Sequence, residues 1–175
     1  MLMKLRLLTA LCATALSGAP TALAQAPTDT DKHFVRDAIE GGNGEVELGH
    51  LAQQKGTSAD VKEFGQKMVT DHTRLGEQMK AVAGNTGVTV PSGTSVSGKA
   101  TEAELKLLSG DSFDKAYIKA MVKAHREDLQ AFQKEAATGT SPEVRNAAKK
   151  GAIVVQHHLD MAEQIAKNHN VDVDK

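Results

Sequence analysis

The sequence predicts an all-α protein: a four-helix bundle in which one long crossover contains a short helix. Apolar residues recur every three or four positions in four long segments, as on one face of an α-helix. Short polar links join the first segment to the second and the third to the fourth, whereas about 28 residues, 84–111, separate the two pairs. Two tight hairpins joined by a crossover that can travel the length of the bundle form the ferritin-like arrangement.

The first helix is expected from about Lys32 to Gln54. Its weak point is the glycine-rich stretch 41–44, because each glycine costs a helix interior about 1 kcal/mol relative to alanine. Either the helix kinks there, or it continues and its small residues let another element approach closely. We favour the continuous helix. Its inward stripe comprises Phe34, Ala38, Gly42, Glu45, Gly49 and Ala52.

The second helix is expected to begin after Ser58 as its N-cap and to run to about Ala83. Residues 84–98 are rich in Gly, Ser and Thr and predict a loop. Thr101 and Glu104 resemble a capping box that opens a short helix through Leu108. The inward stripe of the second helix comprises Val61, Phe64, Met68, His72, Leu75, Met79 and Val82.

The third long helix is expected from about Ser112 to Ala137, and the fourth from Ser141-Pro142 to about Lys167. A capping serine followed by proline at the first helical position is a strong helix start. The third stripe comprises Tyr117, Met121, His125, Asp128 and Phe132. The fourth comprises Val144, Ala148, Gly151, Val155, His158, Ala162 and Ile165.

Residues 1–24 have the pattern of an export signal. Basic Lys4 and Arg6 precede an apolar run, 7–16, that is too short to span a bilayer, and the small-x-small sequence 22–24 predicts cleavage after Ala24. This pattern predicts a periplasmic or secreted protein. The rest of the chain divides into a flexible tail at 25–31, the four-helix bundle domain at 32–168 and a C-terminal tail at 169–175.

The composition of the mature chain excludes several function classes. Removing Lys4 and Arg6 from the 21 basic residues leaves 19 against 22 acidic ones, which does not fit a nucleic-acid binder. With no Trp and one Tyr, the chain lacks the aromatic side chains of stacking surfaces. Because Cys12 lies in the signal, the mature chain has no thiol for a disulfide, a metal ligand or a nucleophile. No later segment is apolar enough to span a membrane.

Among the ionisable residues on the inward stripes, four come from four different helices: Glu45, His72, His125 and His158. At about 1.5 Å per residue, Glu45 and His72 lie roughly 17–23 Å from the first end of the bundle, and His125 and His158 roughly 14–20 Å. All four can therefore share one central layer. Imidazole and carboxylate are ordinary ligands of zinc, copper and iron, so the layer predicts a site for one transition-metal ion, with Asp128 orienting His125.

A metal-free polar layer is the alternative, in which the same residues satisfy one another in the core of an interaction or stress protein. Met68, Met121 and Met161 lie near the histidines in sequence. Thioether beside imidazole favours copper, although methionine at this spacing is also an ordinary core filler.

An enzyme is the less favoured interpretation. Glu47 and His50 match the Glu-x-x-His of carboxylate-bridged iron proteins, but both fall on the face opposite the inward stripe and are expected to be solvated. Val69, Val122 and Val155 stand three residues before the three histidines, where a di-iron centre needs carboxylates. The chain offers no nucleophile–base pair and no phosphate-binding glycine loop.

Four segments resemble a bacterial exported family of unknown function, often labelled "outer membrane protein". They are 45–52 (EVELGHLA), 68–72 (MVTDH), 116–125 (AYIKAMVKAH) and 158–162 (HLDMA), and the resemblance extends over about 32–168. It implies a ferritin-like bundle and a periplasmic or secreted location, and it implies no known activity. The expected role is metal handling or envelope stress tolerance without an organic cofactor; protein partners and a homo-oligomer stay open.

Overall fold

The computed structural model describes residues 25–173 and forms a bundle of α-helices. The helices are α1 (Asp29–Lys55), α2 (Ala59–Thr86), α3 (Val96–Lys106), α4 (Gly110–Thr138) and α5 (Pro142–Asn168). α1 packs along α2 and α4 along α5, and the two hairpins meet through α2 against α5 and α1 against α4. The predicted all-α bundle with a long crossover that contains a short helix is confirmed.

The predicted export signal, 1–24, lies outside the described residues. Within 25–173, no helix combines the length and the apolar character that a membrane span requires.

Helix α1 begins at Asp29, so the last three residues of the predicted flexible tail are helical. The cause is a capping box that the sequence reading missed. The Thr28 hydroxyl accepts a hydrogen bond from the Asp31 backbone N–H, and the Asp31 carboxylate accepts one from the Thr28 N–H at 2.6 Å. The same carboxylate accepts from the Thr140 N–H at 2.8 Å, which ties the start of α1 to the turn between α4 and α5.

The short helix α3 differs from the prediction at its start. It begins at Val96, where the Ser95 hydroxyl caps the Gly98 N–H at 3.1 Å, and Thr101 lies inside the helix. Ser95 lies six residues before Thr101, and its hydroxyl accepts a hydrogen bond from a backbone N–H of the first helical turn. Because no proline lies between the two residues, the helix can begin at the earlier cap. Gly110 opens α4 with a φ of 60°.

Helix α1 continues through its glycine-rich stretch, as favoured from the sequence. The stretch brings the crossover close: a Cβ on Gly44 would collide with the Thr94 hydroxyl, and Asn43 donates to the Gly93 carbonyl at 3.0 Å. A second close approach joins α1 to α2, because a Cβ on Gly49 would lie 2.7 Å from the Gly65 carbonyl oxygen. These glycines let backbone pack against backbone.

Two apolar clusters fill the core. One, near the α1–α2 turn, includes Phe64, Phe113 and Tyr117, and the other, toward the opposite end, includes Ile39 and Phe132. On each long helix the polar residue of the inward stripe falls between the members of these two clusters. The layer of Glu45, His72, His125 and His158 is therefore central, as the depth estimate predicted.

A carboxyl pair at the start of α1 makes stability depend on pH. Burial and the hydrogen bond to Asp31 raise the pKa of Glu135 to about 7, whereas hydrogen bonds from Thr28 and Thr140 outweigh burial and hold the pKa of Asp31 at about 2. Glu135 is therefore protonated in the folded protein at mildly acidic pH. A raised folded-state pKa gives stability that is complete below the unfolded value near 4.5 and is lost as the pH rises through about 7.

We expect Glu135→Gln to be more stable than the parent by about 2–3 kcal/mol at pH 8 and nearly equal to it at pH 4.5. The amide mimics the protonated acid and keeps a donor for Asp31. Urea unfolding at the two pH values measures the difference, and Glu77→Gln, on the exposed face of α2, is the matched control. Equal differences at both pH values would show that folded Glu135 does not hold the proton.

Candidate metal centre

Three histidine side chains from three helices meet at the centre of the bundle. His72 of α2 is 3% exposed, and His125 of α4 and His158 of α5 are fully buried. Their ring centroids lie 4.9 to 5.6 Å apart, and one nitrogen from each ring lies within 4.8 Å of the others. Three rings around one ion, with nitrogen–metal distances of about 2.0–2.1 Å, have centroids roughly 5–5.5 Å apart. The observed spacing is thus close to that of a three-histidine site.

Glu45 of α1 closes the fourth side of this group. Its Oε2 lies 2.9 Å from Nδ1 of His72, and its Oε1 lies 3.4 Å from Nε2 of His125. Burial is the main cause that raises the pKa of this carboxyl. The structure therefore brings together all four side chains that the sequence selected.

Asp71 extends the group on the side of His158, and the sequence reading missed it. Its Oδ2 lies 3.0 Å from His158 Nε2 and 2.8 Å from the Lys67 ammonium, and Arg74 donates to Oδ1 at 3.1 Å. Although burial opposes ionisation, the hydrogen bonds from Lys67 and His158 hold the pKa of Asp71 at about 2. The available signal was weak: an acid next to His72, flanked by a basic residue one turn to either side.

The three imidazoles are neutral at pH 7, because burial lowers the pKa of each to about 4. A neutral ring has one N–H and one nitrogen with a free lone pair. The Nδ1–H of His125 donates to the Met121 carbonyl at 3.0 Å, so its Nε2 presents a lone pair to Glu45. The three neutral rings can therefore bind a metal ion at neutral pH without first losing the extra proton of an imidazolium.

Hydrogen atoms are too few for the contacts within the group. The chain Asp71–His158–His72–Glu45 contains three contacts of 2.9 to 3.0 Å, and Glu45 to His125 adds a fourth. His72 and His158 supply one N–H each, and the N–H of His125 is used by Met121. Two contacts therefore need an additional proton or a cation.

The deficit is clearest between Glu45 and His125. Glu45 Oε1 and His125 Nε2 are buried, have no hydrogen-bond partner and lie 3.4 Å apart. Two acceptors facing each other in a dry interior cost several kcal/mol unless something positive lies between or beside them. The site thus fits a cation for two reasons: its side chains are common metal ligands, and two of its buried acceptor atoms have no hydrogen-bond donor.

Asp128 does not contact His125 in the way expected from the sequence. Its side chain hydrogen-bonds to Glu45, and burial together with the Glu45 carboxylate raises its pKa to about 8. The orientation of His125 comes from the Met121 carbonyl instead. Asp128 lies one turn after His125 on α4. At that level of the bundle its side chain reaches Glu45 of α1.

The methionines and the other histidines weighed from the sequence are not members of the central histidine group. Met68 and Met121 are buried in the first apolar cluster, which is the place of core fillers. His50 is exposed, as expected from its face of α1. The His169 side chain is 18% exposed, and its Nε2 lies 3.0 Å from both carboxylate oxygens of Asp60.

Two cavities adjoin the centre. A cavity of about 410 Å³ lies between α1, α3 and α4, and Glu45, Met121 and Asp128 are among its lining residues. A second, of about 10 Å³, is lined by Glu45, His72 and Asp128 among others, which is roughly the space for one water molecule. The carboxylate side of the centre is therefore its open side.

Comparison with known proteins places the chain in a family. A family model described as "Domain of unknown function (DUF4142)" matches residues 17–165, so the chain belongs to that family. No curated protein shows a significant match.

Three solved structures share the fold at low sequence identity. A DUF305 fragment from Deinococcus radiodurans is 14% identical with a TM-score of 0.72, covering 82% of this chain and 99% of its own. A DUF305 protein from Streptomyces coelicolor is 13% identical with a TM-score of 0.70, covering 83% and 97%. CopM in its Cu(I)-bound form is 16% identical with a TM-score of 0.66, covering 79% and 96%.

Proposed function

We propose that this member of the DUF4142 family binds one transition-metal ion through His72, His125, His158 and Glu45. The observation that carries the proposal is the pair of facing acceptors, Glu45 Oε1 and His125 Nε2, at 3.4 Å without a partner. An ion beside them would accept both lone pairs and remove the desolvation cost of each. Asp71, hydrogen-bonded to His158, would orient that ring from behind.

The donor set indicates which ions are suitable. Three imidazoles and one carboxylate, with no thiolate in the described chain, suit zinc, copper or iron better than magnesium or calcium. A protein of similar fold, CopM, has been crystallised in Cu(I)-bound and Ag-bound forms, which makes copper a first ion to test.

The role we propose is the handling of a metal ion, or tolerance of metal stress, outside the cytoplasm. The predicted export signal at 1–24 supports this location. Handling is favoured over turnover because the ligands are buried in a layer between two apolar clusters. No organic cofactor enters the proposal.

One observation favours a second function, that of a metal-free interaction or stress protein with a polar core. The contacts Asp71–His158–His72–Glu45 form a continuous chain, which one additional proton would complete. In that case the layer would serve packing specificity, and the proton would remain on Glu45.

Metal titration separates the two functions. If the ion binds, Zn(II) or Cu(II) at about 100 times Kd adds about 2.7 kcal/mol of stability, which raises Tm by about 5–10 °C for a chain of this length. Native mass spectrometry should give one ion per chain. Mg(II), which prefers oxygen ligands, is the control and should leave Tm unchanged.

The metal-free function predicts a different set of results. Neither Zn(II), Cu(II) nor Fe(II) would change Tm, and protein isolated from its native compartment would contain no stoichiometric metal. That outcome would contradict the proposed site directly.

A further inference from the structure

The cavity of about 410 Å³ beside the centre borders one of the four proposed ligands, Glu45. It is lined at its inner end by Glu45 and Asp128, and none of the three histidines contributes to its wall. A second cavity, of about 10 Å³, shares Glu45 and Asp128 with the first in its lining and also borders His72. The carboxyl groups of Glu45 and Asp128 therefore lie between the large cavity and the imidazole of His72.

The crossover builds one wall of the large cavity and is held in place by small residues. The buried Thr94 hydroxyl fits between Gly44 of α1 and Gly98 of α3, where a Cβ on either glycine would collide with it. Asn43 fixes the neighbouring Gly93 through a hydrogen bond to its carbonyl. The crossover thus spans the space between α1 and α4 without filling it.

Apolar side chains close the centre at its two ends along the bundle axis. Leu48, Met68 and Leu159 line the layer on one side, and Leu75 and Val155 on the other, all less than 10% exposed. A hydrated cation, which is costly to bring into apolar surroundings, is excluded from these sides.

We infer that the large cavity is the path by which a divalent metal ion reaches the buried histidines. This inference rests on the proposed metal-binding function and adds the route to it. The exposed part of the cavity is lined by Glu104 and Glu127 together with Lys119 and Lys123, and its inner part by Glu45 and Asp128. Carboxyl oxygens in the inner part offer the ion ligands in place of water before it reaches the imidazoles.

Partial filling of the cavity tests the route. Ala120→Phe fills it from α4, and Thr101→Leu narrows it from α3; both positions are half-buried and neither is a proposed ligand. We expect each variant to slow both the binding of Zn(II) and its release to a chromophoric chelator, by about tenfold for Ala120→Phe, with an unchanged Kd. Equal slowing in both directions is the signature of a barrier on the path, because a damaged site would change Kd.

The control is Ala152→Phe, which introduces the same side chain at a half-buried alanine of α5 outside the cavity. Rates should match those of the parent. If Ala152→Phe slows binding as much as Ala120→Phe, or if neither cavity variant slows it, the route is wrong. A rate in the parent that rises steeply at low urea, and that the cavity variants leave unchanged, would instead show that the ion enters by opening of the bundle.

Equilibrium titration of the parent keeps this inference distinct from the proposed function. If the parent binds Zn(II) and the cavity variants exchange it at the parental rate, the proposed metal site is supported and the proposed entry route is wrong. If the parent binds no Zn(II), Cu(II) or Fe(II), both the proposed function and the entry route are wrong.

Discussion

Replacement of His125 by alanine is expected to weaken the binding of Zn(II) or Cu(II) by at least about a hundredfold, which corresponds to about 2.7 kcal/mol. Among the described residues, the substitution removes the one buried imidazole with a ring nitrogen that has no hydrogen-bond partner. Within 25–173, His72 and Asp128 then remain as the polar partners of Glu45. Isothermal titration and the metal-induced change in Tm both measure the loss.

The matched control is His50→Ala, which removes an exposed histidine of α1 and should leave the metal response unchanged. This comparison also separates the centre from adventitious binding of copper to surface imidazoles. Replacing His72, His125 and His158 together should abolish the response. Retention of the parental response by that triple variant would exclude the centre as the binding site.

Gly151→Ala is expected to destabilise the protein by about 3 kcal/mol, at the upper end of the cost of overpacking. A Cβ at this position of α5 would overlap the ring of Phe132 on α4. The ring cannot turn aside easily, because it also packs edge-to-face against Phe34, with centroids 5.0 Å apart. Urea unfolding should show the loss as a lower midpoint with an unchanged slope.

Gly76→Ala provides the opposite result from the same chemical change. A Cβ on Gly76, in the interior of α2, would meet no atom within 4 Å. Alanine there should stabilise the protein by about 0.5–1 kcal/mol through helix propensity. The double change Gly151→Ala with Phe132→Leu should recover part of the loss, and the absence of any recovery would show that the overlap with Phe132 is not its cause.

The fold and the membership of the central layer could be predicted because both follow from helix geometry. The depth of each polar residue depends only on its distance in sequence from a tight turn and on the rise per residue. Small errors in helix ends shift these depths by a few ångströms at most. The observed helices begin and end within about four residues of the predictions for the four long segments, and the layer was still found.

Contacts at the edge of the layer could not be predicted in the same way. Asp71 lies beside the inward stripe of α2, and whether it faces α5 depends on helix rotation, which a stripe defines only approximately. The choice of Asp128 between His125 and Glu45 depends on distances across the bundle that the sequence of one helix does not contain. The start of α3 was missed because several serine and threonine residues near it can act as caps, and Ser95, not Thr101, is the one used.

The placement of the polar layer between two apolar clusters also fixes how the hairpins are aligned. A slide of α1–α2 along α4–α5 by one helical turn, about 5.4 Å, would set Glu45 and His72 against apolar side chains and leave His125 and His158 without partners. Uniform apolar cores tolerate such slides, because one turn of leucine resembles the next. The layer therefore fixes the register of the two hairpins and selects one alignment whether or not an ion is bound.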